Sequence, residues 1–162
     1  MKTLLIFRHA KSSWKDLGLR DFDRPLNKRG KMDAPRMGKL LAEQDLVPDL
    51  IITSAATRAR LTAEAVAETS GYDAEIFETS ELYMAMPEDY IAVLNHVQDS
   101  NTLVMVVGHN PGIEDLIEDL TGEWYRMPTA ALAHIQLDID SWQSLDAESE
   151  GELVNNWYPK EL

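Results

Sequence analysis

Short apolar runs alternate with amphipathic segments along this chain, and the alternation predicts a layered α/β fold. Residues 4–7 and 103–107 are continuously apolar and end at turn residues, which is typical of buried parallel strands. Apolar residues at helical spacing predict helices at about 28–44, 57–69, 87–97 and 110–120. We therefore expect a three-layer α/β/α sandwich with a mostly parallel central sheet.

Four further segments complete the predicted sheet. Residues 49–53 and 75–77 predict short strands, and residues 152–157 predict a last one. Residues 131–139 alternate strictly between apolar and polar side chains, which predicts a half-exposed strand at a sheet edge or an antiparallel addition. The expected fold thus has an antiparallel edge strand.

Turn and capping residues set the expected helix boundaries. Asn27 is a candidate cap for the first helix, and Gly71 and Gly122 are candidates to end the second and the last. Asn110 and Pro111 predict the start of the last helix. Pro35 lies inside the first helical segment and predicts a kink or a later start.

Composition narrows the class of protein. With 162 residues, 44% hydrophobic and 27% charged, residues 1–162 are expected to form one globular domain. The absence of cysteine excludes disulfides, thiolate metal ligands and a cysteine nucleophile. The sequence shows neither a secretory signal nor an apolar run of the ~20 residues that span a bilayer. We expect a cytoplasmic protein without membrane contacts, and the sequence leaves its oligomeric state open.

Charge is distributed unevenly along the chain. The net charge of −13 argues against generic binding to nucleic acid or to an acidic membrane. Residues 1–60 contain 13 basic and 7 acidic residues, whereas residues 61–162 contain 2 and 21. A solvated surface explains most of these charges, but the basic residues could also surround one anion-binding mouth. The candidates for that mouth are Arg8, Lys11, Lys15, Arg20, Arg24, Arg58 and Arg60.

Two histidines follow apolar runs in the same way. His9 comes after residues 4–7 and Arg8, and His109 comes after residues 103–107 and Gly108. Arg58 follows the strand at 49–53, and ligands of open α/β sheets bind beyond the carboxyl ends of the strands. Two guanidinium groups and two imidazoles suit a phosphoryl group. No metal or other cofactor is needed, because these side chains supply the positive charge.

Three motifs occur in chain order: Arg8-His9-Ala10, Ser54-x-x-x-Arg58-Ala59-x-x-Thr62-Ala63 and Gly108-His109-Asn110-Pro111. Together they resemble the motifs of the histidine phosphatase superfamily, which has the phosphoglycerate mutase-like fold. Further segments resemble its SixA-type phosphohistidine phosphatase branch: Asp23-Arg24-Pro25-Leu26-x-x-Arg29-Gly30, Glu81-Leu82-Tyr83-x-Ala85, Pro128-Thr129-Ala130 and Trp142. The resemblance covers nearly the whole chain.

The resemblance implies a mechanism. His9 attacks phosphorus and becomes phosphohistidine, and water then releases inorganic phosphate. A backbone carbonyl in the 9–11 turn is the expected partner of the other ring nitrogen of His9. Arg8, Arg58 and His109 would stabilise the charge on the phosphoryl oxygens. Glu81 resembles the carboxylic acid that protonates the leaving oxygen in related enzymes, and Glu88 and Asp16 are the alternatives for this role. An ordinary solvated position for Glu81 also stays open.

Further residues bear on substrate binding. Ser12, Lys11 and Asn110 are candidates to bind the substrate. The family's Arg-His-Gly-Glu-Ser start reads Arg8-His9-Ala10-Lys11-Ser12 here, a departure that weakens the expectation of small-substrate contacts from this loop. Imidazole needs less help from a general acid than an alkoxide does, so a questionable acid favours a P–N substrate.

Protein phosphohistidine is therefore the favoured substrate, and the expected partner is a phosphorylated protein. A small-molecule phosphomonoesterase and a non-catalytic module that binds phosphoproteins are the alternatives. A metal-dependent hydrolase would need several carboxylates at the strand ends, where most candidates are cationic. Mutase activity would need a more closed pocket.

Overall fold

The computed structural model describes all 162 residues, and six strands form a single sheet. The strands are β1 (Lys2–Arg8), β2 (Leu50–Ser54), β3 (Ile76–Thr79), β4 (Leu103–Gly108), β5 (Leu132–Leu137) and β6 (Gly151–Trp157). Their spatial order is β3-β2-β4-β1-β5-β6. The first four are mutually parallel, whereas β5 and β6 are antiparallel additions. The mostly parallel sheet expected from the sequence is confirmed.

Four α-helices cover the two faces of this sheet. They are α1 (Lys28–Glu43), α2 (Thr57–Ser70), α3 (Pro87–Leu94) and α4 (Gly112–Thr121). Helices α1 and α2 pack against each other, and so do α3 and α4. Alternate residues of β1 enter two separate cores: Leu5 and Phe7 face α1 and α2, whereas Leu4 and Ile6 face α3 and α4. Burial of β1 on both faces explains its continuous apolar sequence.

The start of α1 and the ends of α2 and α4 follow the predicted capping residues, whereas Asn110 does not cap α4, which begins at Gly112 after Pro111. The Asn27 side chain accepts a hydrogen bond from the Gly30 N–H at 2.9 Å, and Gly71 and Gly122 adopt the left-handed conformation that ends a helix. The expectation of a later start at Pro35 was wrong, because α1 begins at Lys28 and continues through the proline. Burial of one face of α1 against the sheet and α2 stabilises the helix despite the lost backbone donor.

The alternating segment forms an antiparallel strand one position in from the edge. β5 pairs with β1 on one side and with β6 on the other, so β6 is the edge strand. The polar face of β5 is partly covered, and the ring of His134 stacks on that of Trp157 at 6.5 Å between centroids.

The sheet register brings the carboxyl ends of β1, β2 and β4 to one edge. Arg8 is paired with Gly108, and Thr53 is paired with Val107. The residues that follow these positions must therefore lie close together, which positions the site described next.

No helix has both the length and the apolar character needed to cross a bilayer.

Candidate active site

His9 and His109 lie side by side beyond the ends of β1 and β4. His9 follows Arg8 and His109 follows Gly108, and these two strand residues lie opposite each other in the sheet. The His9 N–H donates a hydrogen bond to the Gly108 carbonyl at 3.1 Å. The ring centroids are 5.0 Å apart, and both residues are buried. The parallel register therefore creates the pair of imidazoles that the two motifs predict.

The backbone fixes the tautomer of His9. Nδ1 lies 2.7 Å from the carbonyl oxygen of the next residue, Ala10, which can only accept, so Nδ1 carries the proton. The expected carbonyl partner in the 9–11 turn is thus present. Nε2 keeps its lone pair, and the Arg58 Nε–H points to it at 3.4 Å. The turn is held by Thr62, whose hydroxyl oxygen accepts a hydrogen bond from the Ala10 N–H at 3.0 Å.

Burial keeps His9 uncharged. It lowers the pKa of His9 from 6.5 to about 3, and the positive charges of neighbouring groups act in the same direction, against the hydrogen bond to Ala10. An imidazole with this pKa is neutral at pH 7. Its Nε2 is therefore available as a nucleophile without prior loss of a proton.

His109 is oriented by the end of β2. Its Nε2 lies 2.8 Å from the Ser54 hydroxyl oxygen, which also accepts a hydrogen bond from the Ala56 N–H at 3.2 Å. Ser54 is fully buried, and donation to Nε2 is the arrangement that uses its hydroxyl proton. Nδ1 of His109 then carries a proton. Burial lowers the pKa of His109 to about 4, so this ring is neutral as well.

The position of His109 depends on a close approach at Gly108. The Tyr90 hydroxyl accepts a hydrogen bond from the His109 N–H at 3.2 Å. A Cβ atom at residue 108 would lie 2.1 Å from that hydroxyl oxygen. Only glycine leaves room for the tyrosine, which explains the glycine before the histidine in this motif.

Unpaired polar atoms concentrate at this site. Only three buried side-chain nitrogen or oxygen atoms in the molecule have no hydrogen-bond partner: Arg8 Nε, His109 Nδ1 and Asn110 Oδ1. Arg8 and Asn110 are both anchored by the Met127 carbonyl, at 3.1 and 2.9 Å. Two of the three free atoms are N–H donors beside His9. Buried donors without partners are rare, and this pair suits an oxyanion.

Asp21 holds the guanidinium group of Arg58, a role that sequence reasoning missed. Arg58 Nη1 donates to the Asp21 carbonyl at 2.7 Å and Nη2 to its carboxylate at 3.0 Å. The same carboxylate accepts hydrogen bonds from Tyr83 and Arg24, at 2.7 and 2.8 Å. The Tyr83 hydroxyl, followed by Arg24 and Arg58, holds the pKa of Asp21 well below its usual range. Asp21 lies two residues before the Asp23-Arg24-Pro25 segment and belongs to no motif itself, so only the folded loop shows its role.

The structure brings most of the predicted site residues together. One cavity of about 390 Å³ is lined by Arg8, His9, Lys11, Ser12, Arg58, His109 and Asn110. The Ser12 hydroxyl accepts a hydrogen bond from Arg24 Nη2 at 2.5 Å. These residues lie at the end of β1, in the loops that follow β1 and β4, and in the first turn of α2 after β2, as the strand-end argument predicts.

Glu81 is the predicted residue that the structure does not bring to this cavity. It lies in a short 3-10 turn, Ser80–Leu82, whose leucine is fully buried. Tyr83 faces the site, its ring centroid 5.6 Å from that of His109. The exposed Glu81 instead lines another cavity together with Phe77 and His96. The turn thus places the tyrosine, not the glutamate, beside the imidazoles. No three His, Asp or Glu side chains are grouped so as to hold a metal ion.

The site contains a neutral imidazole beside two guanidinium groups and a second imidazole, all at the carboxyl edge of a parallel sheet. This arrangement suits an enzyme that transfers phosphoryl groups. Residues 4–83 match the histidine phosphatase superfamily (branch 1). The chain is 33% identical to an uncharacterized chloroplastic protein of Arabidopsis thaliana over 158 residues, which cover 91% of this chain and 72% of the relative. The chain belongs to the histidine phosphatase superfamily and is a phosphatase.

Solved structures support the same conclusion. An Agrobacterium tumefaciens protein assigned as a phosphohistidine phosphatase SixA is 31% identical with a TM-score of 0.83, over 98% of both chains. The protein histidine phosphatase SixA, solved with tungstate, has a TM-score of 0.85 at 23% identity, over 98% of both chains. At this identity the second likeness shows the fold alone.

Proposed function

We propose that this protein hydrolyses phosphohistidine on another protein through a covalent phosphohistidine intermediate on His9. Residues 1–162 would form one catalytic domain that acts in the cytoplasm. The protonated Nδ1 of His9 and its unprotonated Nε2, whose lone pair faces the Arg58 Nε–H at 3.4 Å, support the role of nucleophile. Arg8 and His109 carry the unpaired donors that suit the phosphoryl oxygens.

The reaction has two steps. In the first, the Nε2 lone pair of His9 forms a bond to phosphorus while the bond from phosphorus to the substrate nitrogen breaks and leaves its electron pair on that nitrogen. In the second, water attacks phosphorus, the Nε2–phosphorus bond breaks, and inorganic phosphate leaves with the protons of the water. Arg8, Arg58 and His109 stabilise the oxygens in both transition states, and Lys11, Ser12 and Asn110 bind the substrate.

The ionised state of Asp21 is the observation that favours a substrate with a P–N bond. Asp21 contacts Arg58 and Arg24, and its lowered pKa keeps it ionised, so it has no proton to give. Glu81 faces away from the cavity. An alkoxide leaving group needs a proton from such an acid. Phosphohistidine that is protonated on its other ring nitrogen needs none, because a neutral imidazole departs when the P–N bond breaks. The site is therefore better suited to phosphohistidine than to an alkyl phosphate.

Exposed apolar side chains at the mouth support a protein substrate. Trp14 lines the cavity and is 70% exposed, and it lines an adjoining groove together with Leu19 and Met32, which are 39% and 58% exposed. Large apolar side chains grouped at a mouth favour contact with another protein surface. A small phosphate ester would leave these side chains in water.

Parallel measurements of phosphate release test this proposal. The substrates are a phosphohistidine peptide and 4-nitrophenyl phosphate, each with and without chelator. We expect turnover that resists the chelator, is faster on the peptide and is lost in His9→Asn. The control is His96→Asn, which removes an exposed histidine and should keep wild-type activity. Rapid quenching should trap an acid-labile, base-stable phosphoenzyme in the wild type and in His96→Asn, but not in His9→Asn.

Three outcomes would contradict the proposal in different ways. Turnover of the aryl phosphate alone would keep the nucleophile but move the substrate to small phosphomonoesters. Binding of the peptide without turnover of either substrate would favour the non-catalytic module. Loss of activity with chelator would point to a metal-dependent hydrolase.

A further inference from the structure

A second cavity opens beside the one that contains His9, and it is strongly basic. Its volume is about 490 Å³, and Arg8, Lys11 and Thr129 line both cavities. A group bound in the second cavity therefore lies next to the cavity that contains His9. The mechanism proposed above uses Arg8 and Lys11 but leaves the rest of this cavity without a role.

The charge of the second cavity runs against that of the chain. Five basic side chains line it, Arg8, Lys11, Arg29, Arg126 and Lys160, against two acidic ones, Asp33 and Glu161. The net charge of the whole chain is −13. Residues 61–162 contain two basic residues among 21 acidic ones, and both of them, Arg126 and Lys160, lie here. The basic residues of this acidic segment therefore lie at one place on the surface.

Four of these five cations have no carboxylate partner. Ion pairs within 4.0 Å involve none of Arg8, Lys11, Arg126 and Lys160, whereas Arg29 is paired with Asp33 at 3.0 Å. Glu161 therefore leaves the cations of its own cavity unneutralised. Unpaired cations around a concave surface attract anions more strongly than isolated surface lysines do.

The fold holds the two late cations in place. The Tyr158 hydroxyl donates a hydrogen bond to the Arg126 carbonyl at 3.1 Å, which ties the segment before Lys160 to the loop that carries Arg126. Pro159 is buried and fixes the same segment. Arg126 lies near Arg8, and its charge is among those that lower the pKa of Arg8, after burial and against Glu114. The fold thus holds this cavity beside the active site.

We propose that this cavity is a second anion subsite, which receives the carboxylate of an acidic residue near the phosphohistidine of the protein substrate. This inference rests on the proposed function. The phosphoryl group binds at His9 while the acidic side chain contacts Arg126 and Lys160. The subsite selects phosphohistidines that have an acidic neighbour, and an aryl phosphate without a second anionic group does not use it.

Matched peptide series test the subsite. Each phosphohistidine peptide contains one glutamate, placed between three positions before and three positions after the phosphohistidine, or glutamine at the same position. We expect one or two positions at which glutamate raises kcat/KM about fivefold over glutamine, the scale of a partly exposed ion pair. In the double variant Arg126→Gln/Lys160→Gln the ratio should fall to within about twofold, and in the wild type it should shrink in 0.5 M salt.

Two controls separate the subsite from a general charge effect. The variant Lys39→Gln/Arg60→Gln removes the same two charges; Lys39 lines neither cavity, and Arg60 is paired with Glu64 and Glu78. It should keep the preference for glutamate. Hydrolysis of 4-nitrophenyl phosphate should be the same in both double variants and in the wild type.

The outcomes distinguish the subsite from the proposed function. Turnover of the peptides with no preference for glutamate at any position overturns the subsite alone. A preference that survives in Arg126→Gln/Lys160→Gln, or that is lost equally in Lys39→Gln/Arg60→Gln, also overturns it. If the wild type hydrolyses none of the phosphohistidine peptides, the proposed function fails, and the subsite as stated fails with it.

Discussion

Replacing His9 by asparagine should reduce the acid sensitivity of the folded protein. His9 is 6% exposed, and its burial lowers its pKa to about 3. The unfolded chain binds a proton at this residue below about pH 6.5, whereas the folded chain does not until about pH 3. Unfolding therefore takes up a proton in this range. The free energy of unfolding must fall as the pH is lowered from 6.5 towards 3.

The size of the effect follows from the two pKa values. Each pH unit below the pKa of the unfolded chain costs about 1.4 kcal/mol while the folded imidazole stays neutral. At pH 5 the cost from His9 is about 2 kcal/mol. Asparagine does not titrate, and its amide can still donate a hydrogen bond to the Ala10 carbonyl. The loss of unfolding free energy between pH 7 and pH 5 should thus be about 2 kcal/mol smaller in His9→Asn than in the wild type.

Urea denaturation at pH 7 and pH 5 measures this difference, because all other titrating groups are shared. The matched control is His96→Asn, which replaces an exposed histidine and should lose as much stability as the wild type. Equal losses in His9→Asn and the wild type would refute the reasoning. They would mean that burial does not keep His9 neutral, and the free lone pair at Nε2 would lose its physical basis.

Three further substitutions test the surroundings of the nucleophile. Ser54→Ala removes the hydroxyl that orients His109, and we expect kcat to fall about tenfold with little change in KM, measured with 4-nitrophenyl phosphate. Asp21→Asn removes the carboxylate charge that is paired with Arg58, so competitive inhibition by inorganic phosphate should become about fivefold stronger. Unchanged or weaker inhibition would show that Asp21 does not compete with phosphate for Arg58. Gly108→Ala would force a methyl group against the packed tyrosine and should cost about 1–3 kcal/mol of stability, measured by chemical denaturation together with kcat.

Local sequence patterns determined most of the architecture. The apolar runs that end at Arg8 and Gly108 predicted buried parallel strands, and Asn27, Gly71 and Gly122 predicted helix boundaries that the structure confirms. These features depend on side-chain period and on the chemistry of single residues, which a sequence displays directly. Convergence of the two histidines also followed, because the carboxyl ends of parallel strands share one edge of a sheet.

Contacts across the sheet decided what the sequence left open. Whether Glu81 or Tyr83 faces the imidazoles depends on which way one short turn points, and burial of Leu82 settles it. The hydrogen bonds of Asp21 to Arg58 and Tyr83 join residues far apart in the chain.

The basic cavity is the clearest case of this division. The sequence shows that Arg126 and Lys160 are the only cations after residue 60, but only the folded chain places both beside Arg8. Their approach depends on the antiparallel addition of β5 and β6 next to β1 and on the hydrogen bond from Tyr158 to the Arg126 carbonyl. Sequence periodicity reports which face of an element is buried, whereas distance between remote residues is set by packing. The chemistry of the site was therefore readable from the sequence, and its electrostatic surroundings were decided by the tertiary structure.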